Sequence, residues 1–145
     1  INMVNAPFIA KERGIEVQES TSNEVHEYTS TVQLQITSEK EARTVTGSIF
    51  GKGDSRIVQF DEYSLEAVIS KNMLVLNNMD VPGVIGNLGN ILGKHNLNIA
   101  GFHLGRLENG GKAVAIINID SPPTIEALKE VRNTANIIEV NSVTL

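Results

Sequence analysis

The stretch NMDVPGVIGNLGNILGKHNLNIAGFHLGR, Asn78–Arg106, decides the fold. It reads as a strand end, a tight turn, a helix, a second turn and a second strand. Asn78 and Asp80 close the first strand. Pro82 suits the fixed φ of a helix's first turn, and Gly83 lets the backbone come close to a ligand. Val84, Ile85, Leu88, Ile91, Leu92 and His95 recur at i, i+3, i+4, i+7 spacing, which predicts a helix with one buried face over Val84–His95. Asn98 opens the next strand and is expected on the same edge as Asp80. The N–H groups of an uncapped helix start can take a carboxylate, and Asp80 can take an ammonium. Such groups at one sheet-to-helix edge suit a small zwitterion.

Downstream, a Gly-rich turn (Glu108-Asn109-Gly110-Gly111) precedes an apolar strand over Lys112–Asp120. A helix over Thr124–Asn133 follows, with Ile125, Leu128 and Val131 as its apolar stripe and Ser121-Pro122 as its cap. Strand Ile137–Leu145 ends the chain. With strands Met73–Asn78 and Ile99–Arg106, the order is βαββαβ. Right-handed crossovers place both helices on one face of a four-stranded antiparallel sheet, a ferredoxin-like sandwich.

Upstream of the polar junction Ser70-Lys71-Asn72 the chain is strand-rich with one helix. Asn5 as N-cap, Pro7 near the first turn and Gly14 past the end mark that helix. Ile15–Glu19 is a short candidate strand. From Tyr28 to Thr37, Tyr28, Ser30, Val32, Leu34 and Ile36 alternate with polar residues, which predicts a half-buried strand. It pairs across Ser38–Glu41 with a strand over Arg43–Phe50 in an antiparallel hairpin. Further strands are expected over Arg56–Phe60 and Leu65–Ile69. The fold class is α+β, with a strand-rich, partial α+β unit at 1–70 and the ferredoxin-like unit at 71–145.

The DxPG helix start, the following N-I-x strand and the βαββαβ order together resemble the ACT domain, a small amino-acid-sensing module. The segments Val4–Val17 (VNAPFIAKERGIEV) and Gly47–Ala67 (GSIFGKGDSRIVQFDEYSLEA) resemble the intervening, allosteric substrate-binding domain of long, type I D-3-phosphoglycerate dehydrogenases. Matched in this order, the likeness to that family's regulatory region covers nearly the whole chain. The family's intervening domain is longer than the segment present before Lys71.

The resemblance implies an L-serine site formed by Asn78, Asp80 and Asn98, completed by the N–H groups of Val84 and Ile85, at an interface between two copies of the chain. The family's first position is often His or Tyr, so Asn78 is a shorter substitute. On residues alone, the commoner roles are that Asp80 caps the helix and Asn98 sits in a turn. The resemblance also implies a basic anion site near Lys52 and Arg56, where the residues alone read as a solvated turn. It implies a parent enzyme using NAD, with no cofactor in this part. A related alternative is the regulatory part of an iron–sulfur L-serine dehydratase; another is a free-standing ferredoxin-like binding module.

Composition sets limits on these readings. The chain has 145 residues, 41% of them apolar but only 4% aromatic, so its core rests on Val, Ile, Leu and Ala. Twelve Lys and Arg against 17 Asp and Glu give a net charge of −5, without the basic face of a nucleic-acid binder. The absence of Cys excludes disulfides and thiolate-held metal or iron–sulfur centres. No apolar run reaches the ~20 residues that span a bilayer, and a cytoplasmic, membrane-free protein is expected. Ile1 in place of Met reads as a piece of a longer polypeptide.

His26, His95 and His103 lack metal-ligand spacing, and His95 suits a helix C-terminus. GKGDS is not a Walker A loop, and GVIGNLGNILG lacks the dinucleotide fingerprint. No catalytic site is expected. Gly86, Gly89 and Gly93 form a second stripe on the helix, each costing roughly 1 kcal/mol of helix propensity. Close approach by a second copy, or by the domain's own sheet, would account for it.

Overall fold

The computed structural model describes residues 1–22, 28, 30–51 and 53–145. Among them the order is α1 (Ala6–Glu12), β1 (Thr31–Thr37), β2 (Ala42–Phe50), β3 (Asp54–Phe60), β4 (Tyr63–Val68), β5 (Asn72–Met79), α2 (Val84–Lys94), β6 (Ile99–Arg106), β7 (Lys112–Ile119), α3 (Ile125–Arg132) and β8 (Ile137–Thr144). The strands form two four-stranded sheets, β1-β2-β3-β4 and β6-β7-β5-β8. Every ladder is antiparallel.

The second sheet and its helices make the ferredoxin-like sandwich. Leu74, Leu76, Ala115, Ile117 and Val140 point to one face of the sheet, where Leu88 and Leu92 of α2 and Ala127 and Val131 of α3 close the core. Phe102 and Leu104 of β6 pack on the same cluster. α3 lies against β8. Its N-cap is Thr124, whose side chain accepts a hydrogen bond from Ala127 N, rather than Ser121-Pro122. α2 begins one residue after Gly83, which sits at φ 93°, so Pro82 belongs to the preceding turn instead of the helix.

The first sheet covers the other face. Leu65 and Ala67 of β4 pack with Met73 and Ile116, joined by Ile57, Phe60 and Val143. Covered on both faces, β7 is buried from Ala113 to Ile119, hence its nearly unbroken apolar run. The Asn118 side chain donates to Val68 O across this seam at 3.0 Å. Arg43 of β2 ties the sheets at another point. Its guanidinium meets Asp61 at 2.9 Å and Glu139 of β8 at 3.2 Å, and Asn77 donates to the same Glu139 oxygen at 3.3 Å. The Asp61 hydrogen bond foremost holds the guanidinium more firmly protonated than usual.

Three expectations for the first half are overturned. β1 pairs with β2 as foreseen, but it is exposed along its whole length, with Val32 77% and Leu34 62% accessible. The first sheet overhangs the second on its β1 side, so alternation there marks a shared face without a cover. Ile15–Glu19 forms no strand, because no neighbouring strand pairs with it and Ile15 and Val17 stand exposed. Asn5 occupies the N-cap position of α1 without capping it; its Oδ1 accepts from Asn2 N instead. Among the described residues, no helix is long and apolar enough to cross a membrane.

Candidate functional site

β5 ends and α2 begins at one rim of the second sheet, and four of the five expected ligand residues meet there. Asn78 faces the helix side of β5, like Leu74 and Leu76 before it, and is buried at 3% exposure. Its Nδ2 donates to Met79 O at 2.8 Å. A register shift in the β5–β8 ladder falls between Asn77 and Asn78, where the strand turns out toward the helix. The backbone of Asp80 is held by its N–H, which donates to Gly111 O at 2.8 Å.

The Asp80 carboxylate does not cap α2. It lies 3.1 Å from Nη1 of Arg106, the last residue of β6. Gly83 supplies no side-chain cap either, so donors of the first turn remain open for a ligand. Val84 N makes one long bond, 3.4 Å, to Val81 O, and Ile85 N has no backbone acceptor among the described residues. Val84 is buried, whereas Ile85 is half exposed and faces the rim.

Asn98 lies elsewhere. β5 and β6 run in the same direction with α2 between them, so β6 begins at the end of the sheet where β5 begins. At ~3.3 Å per residue, the span of β6 puts Asn98 roughly 25 Å from the Asp80 rim within one chain. There its side chain donates to Asp120 Oδ2 at 2.7 Å. Arg106 went unnoticed in the sequence because only the sheet topology brings it to Asp80. A full charge closing a strand whose other polar side chain is His103, at the end where the preceding strand also closes, was the available signal.

The other candidates divide as follows. Arg56 is engaged by Asp54 at 2.6 Å and Glu66 at 2.9 Å, and its guanidinium lies 5.0 Å from the centre of the Phe50 ring. The hydrogen bonds that it donates to Asp54 foremost raise its pKa. Its charge is thus already answered by two carboxylates. Lys52 and His26 lie outside the described residues. His95 stands at the α2 C-cap with Nε2 2.8 Å from Glu130 Oε2, and Lys94 Nζ reaches the same carboxylate at 2.8 Å. Hydrogen bonds from Lys94 and then His95 hold Glu130 below the ordinary glutamate range.

Gly86, Gly89 and Gly93 face open space: a Cβ on any of them would meet nothing within 4 Å. Packing on the domain's own sheet therefore does not explain the stripe. No group of three or more His, Cys, Asp or Glu is placed to hold a metal among the described residues. A shallow cleft of about 470 Å³, lined by Ile91, Glu126, Lys129, Glu130, Asn133 and Thr134, shares no residue with the Asp80 rim.

Comparison with known proteins bears on this geometry. Residues 1–61 match the family model of the D-3-phosphoglycerate dehydrogenase intervening domain, and residues 72–136 match that of the ACT domain. The whole chain aligns with a D-3-phosphoglycerate dehydrogenase of Synechocystis at 34% identity, covering 26% of that protein. It aligns likewise with one of Archaeoglobus fulgidus at 35% identity, covering 28% of it. A probable L-serine dehydratase beta chain of Bacillus subtilis is 24% identical over 93% of this chain and 61% of its own. The chain spans about a quarter of the dehydrogenases' length. Residues 1–61 are thus similar to that intervening domain and residues 72–136 to the ACT domain, in a chain similar over its whole length to part of the D-3-phosphoglycerate dehydrogenases.

Proposed function

We propose that this chain is the effector-sensing part of an NAD-dependent D-3-phosphoglycerate dehydrogenase, and that its ACT domain binds L-serine as end-product inhibitor. Residues 71–145 form the sensing domain, residues 1–70 belong to the intervening domain, and the chain itself transfers no hydride. The observation that carries this reading is the rim where Asn78, Asp80 and the α2 start converge. Asp80 takes the ammonium, the Ile85 and Val84 amides the carboxylate, and Asn78 the remaining polar contact.

Asn98 joins the site through a second copy. β6 is an edge strand with open backbone groups. Pairing it with the β6 of another copy about a two-fold axis runs the strands antiparallel, so the beginning of one lies beside the end of the other. The second copy's Asn98 then faces this copy's Asp80 rim, and two equivalent sites form at the seam. The open glycine stripe on α2 suits close approach across the same seam. The effector would act on the distant active site through a coupling free energy, typically ~1–3 kcal/mol.

Calorimetric titration of the chain with L-serine, with glycine, threonine and phenylalanine as controls, tests the proposal. Saturable binding that favours serine supports it; no heat with any of the four contradicts it. The match to the dehydratase beta chain favours a second reading, in which the same module serves a serine-consuming enzyme. An L-serine site is common to both readings.

A further inference from the structure

We propose that Arg106 reads the effector's carboxylate together with the α2 amides, forming with Asp80 a charge pair into which a zwitterionic α-amino acid inserts. This inference rests on the effector site proposed at the Asp80 rim. Three observations carry it. Arg106 Nη1 lies 3.1 Å from Asp80 Oδ2 on the rim itself. The two side chains are unequally held: Asp80 is 19% exposed on an anchored backbone, whereas Arg106 is 54% exposed. The backbone just before Arg106 is fixed, because Gly105 packs directly under β4. A guanidinium on a fixed base with an open head can swing while its strand stays still.

An ion pair this exposed is weakly held, so an incoming ligand can part it at little cost. The ligand's ammonium replaces the guanidinium at Asp80. The released guanidinium is then free for the ligand's carboxylate, whose two oxygens match its planar fork. Pair and zwitterion are each neutral overall, so the exchange turns one salt bridge into two and leaves no charge unanswered. A bare amine satisfies Asp80 but strands Arg106. A bare carboxylate satisfies Arg106 but strands Asp80. The pair therefore selects for both charges on one small molecule, a discrimination that backbone amides alone make less sharply.

The test is calorimetric titration of the whole chain and its Arg106→Gln and Arg106→Lys variants with L-serine, L-serinamide and L-glycerate. The expected result is that the wild-type chain prefers serine to both analogues. Arg106→Gln should weaken serine binding about tenfold or more, the loss of a charged hydrogen-bond pair. It should leave serinamide affinity equal to the wild-type value or above it, because no guanidinium is then stranded, so that the serine-to-serinamide preference collapses, and Arg106→Lys should recover part of it. Serine affinity in Arg106→Gln that equals or exceeds the wild-type value overturns the inference; a gain would make Arg106 a latch that competes with the ligand. If Asp80→Ala loses serine while Arg106→Gln keeps it, only this inference fails. A wild-type chain that binds no amino acid overturns the effector site as well.

Discussion

Gly105 of β6 and Ser64 of β4 approach so closely that a Cβ on the glycine would stand 3.0 Å from the Ser64 carbonyl oxygen, and equally close to the Tyr63 Cβ. Backbone meets backbone at this point, where the first sheet rests on the helix-free face of the second. Gly105→Ala therefore has no flexible neighbour to displace. The expected outcome is destabilisation by ~1–3 kcal/mol, the range for overpacking a tight contact, read as a lower denaturant midpoint. An unchanged midpoint would mean that the sheets part easily.

Stability and binding are expected to separate along α2. Leu88 is buried against the sheet, and Leu88→Ala should cost ~2–5 kcal/mol in chemical unfolding. Ile85, half exposed at the rim, contributes little to the core. Ile85→Ala should shift stability by no more than about 0.5 kcal/mol. Unfolding curves of the two variants side by side check the contrast.

Acid should act on the α2–α3 contact through Glu130. Its folded-state pKa is depressed, first by the Lys94 hydrogen bond and then by that from His95. A depressed carboxylate contributes stability that is present above the unfolded glutamate value, about 4.3. That contribution is lost as pH falls through the lower folded value. Glu130→Gln should therefore be less stable than wild type near neutral pH and converge with it in acid. Parallel stability–pH curves for the two proteins would contradict this.

How far the sequence disclosed this structure depends on which residues one asks about. From Met73 to Leu145 short apolar runs mark the strands and a 3.6-residue stripe marks the helices, because that sheet is covered on both faces. In β1 the same alternation correctly grouped Val32, Leu34 and Ile36, but a period cannot say whether a face is covered. Asn98 shows a different limit. Placing it beside Asp80 overlooked that a helix between two strands returns the chain to its starting end. Arg106 lies 26 residues from Asp80 and meets it only through the register of β6 with β7 and of β7 with β5.

In the arrangement proposed, each serine site is built by two copies of the chain, Asp80 from one and Asn98 from the other. Coexpression of Asp80→Ala and Asn98→Ala chains, followed by calorimetric titration with L-serine, tests it most directly. Each variant alone should lose serine binding. Mixed pairs should regain it, because one of the two sites at their seam unites an intact Asp80 with an intact Asn98. Coexpressed variants that bind no more serine than either variant alone would contradict a shared site, as would Asn98→Ala chains that bind serine like wild type.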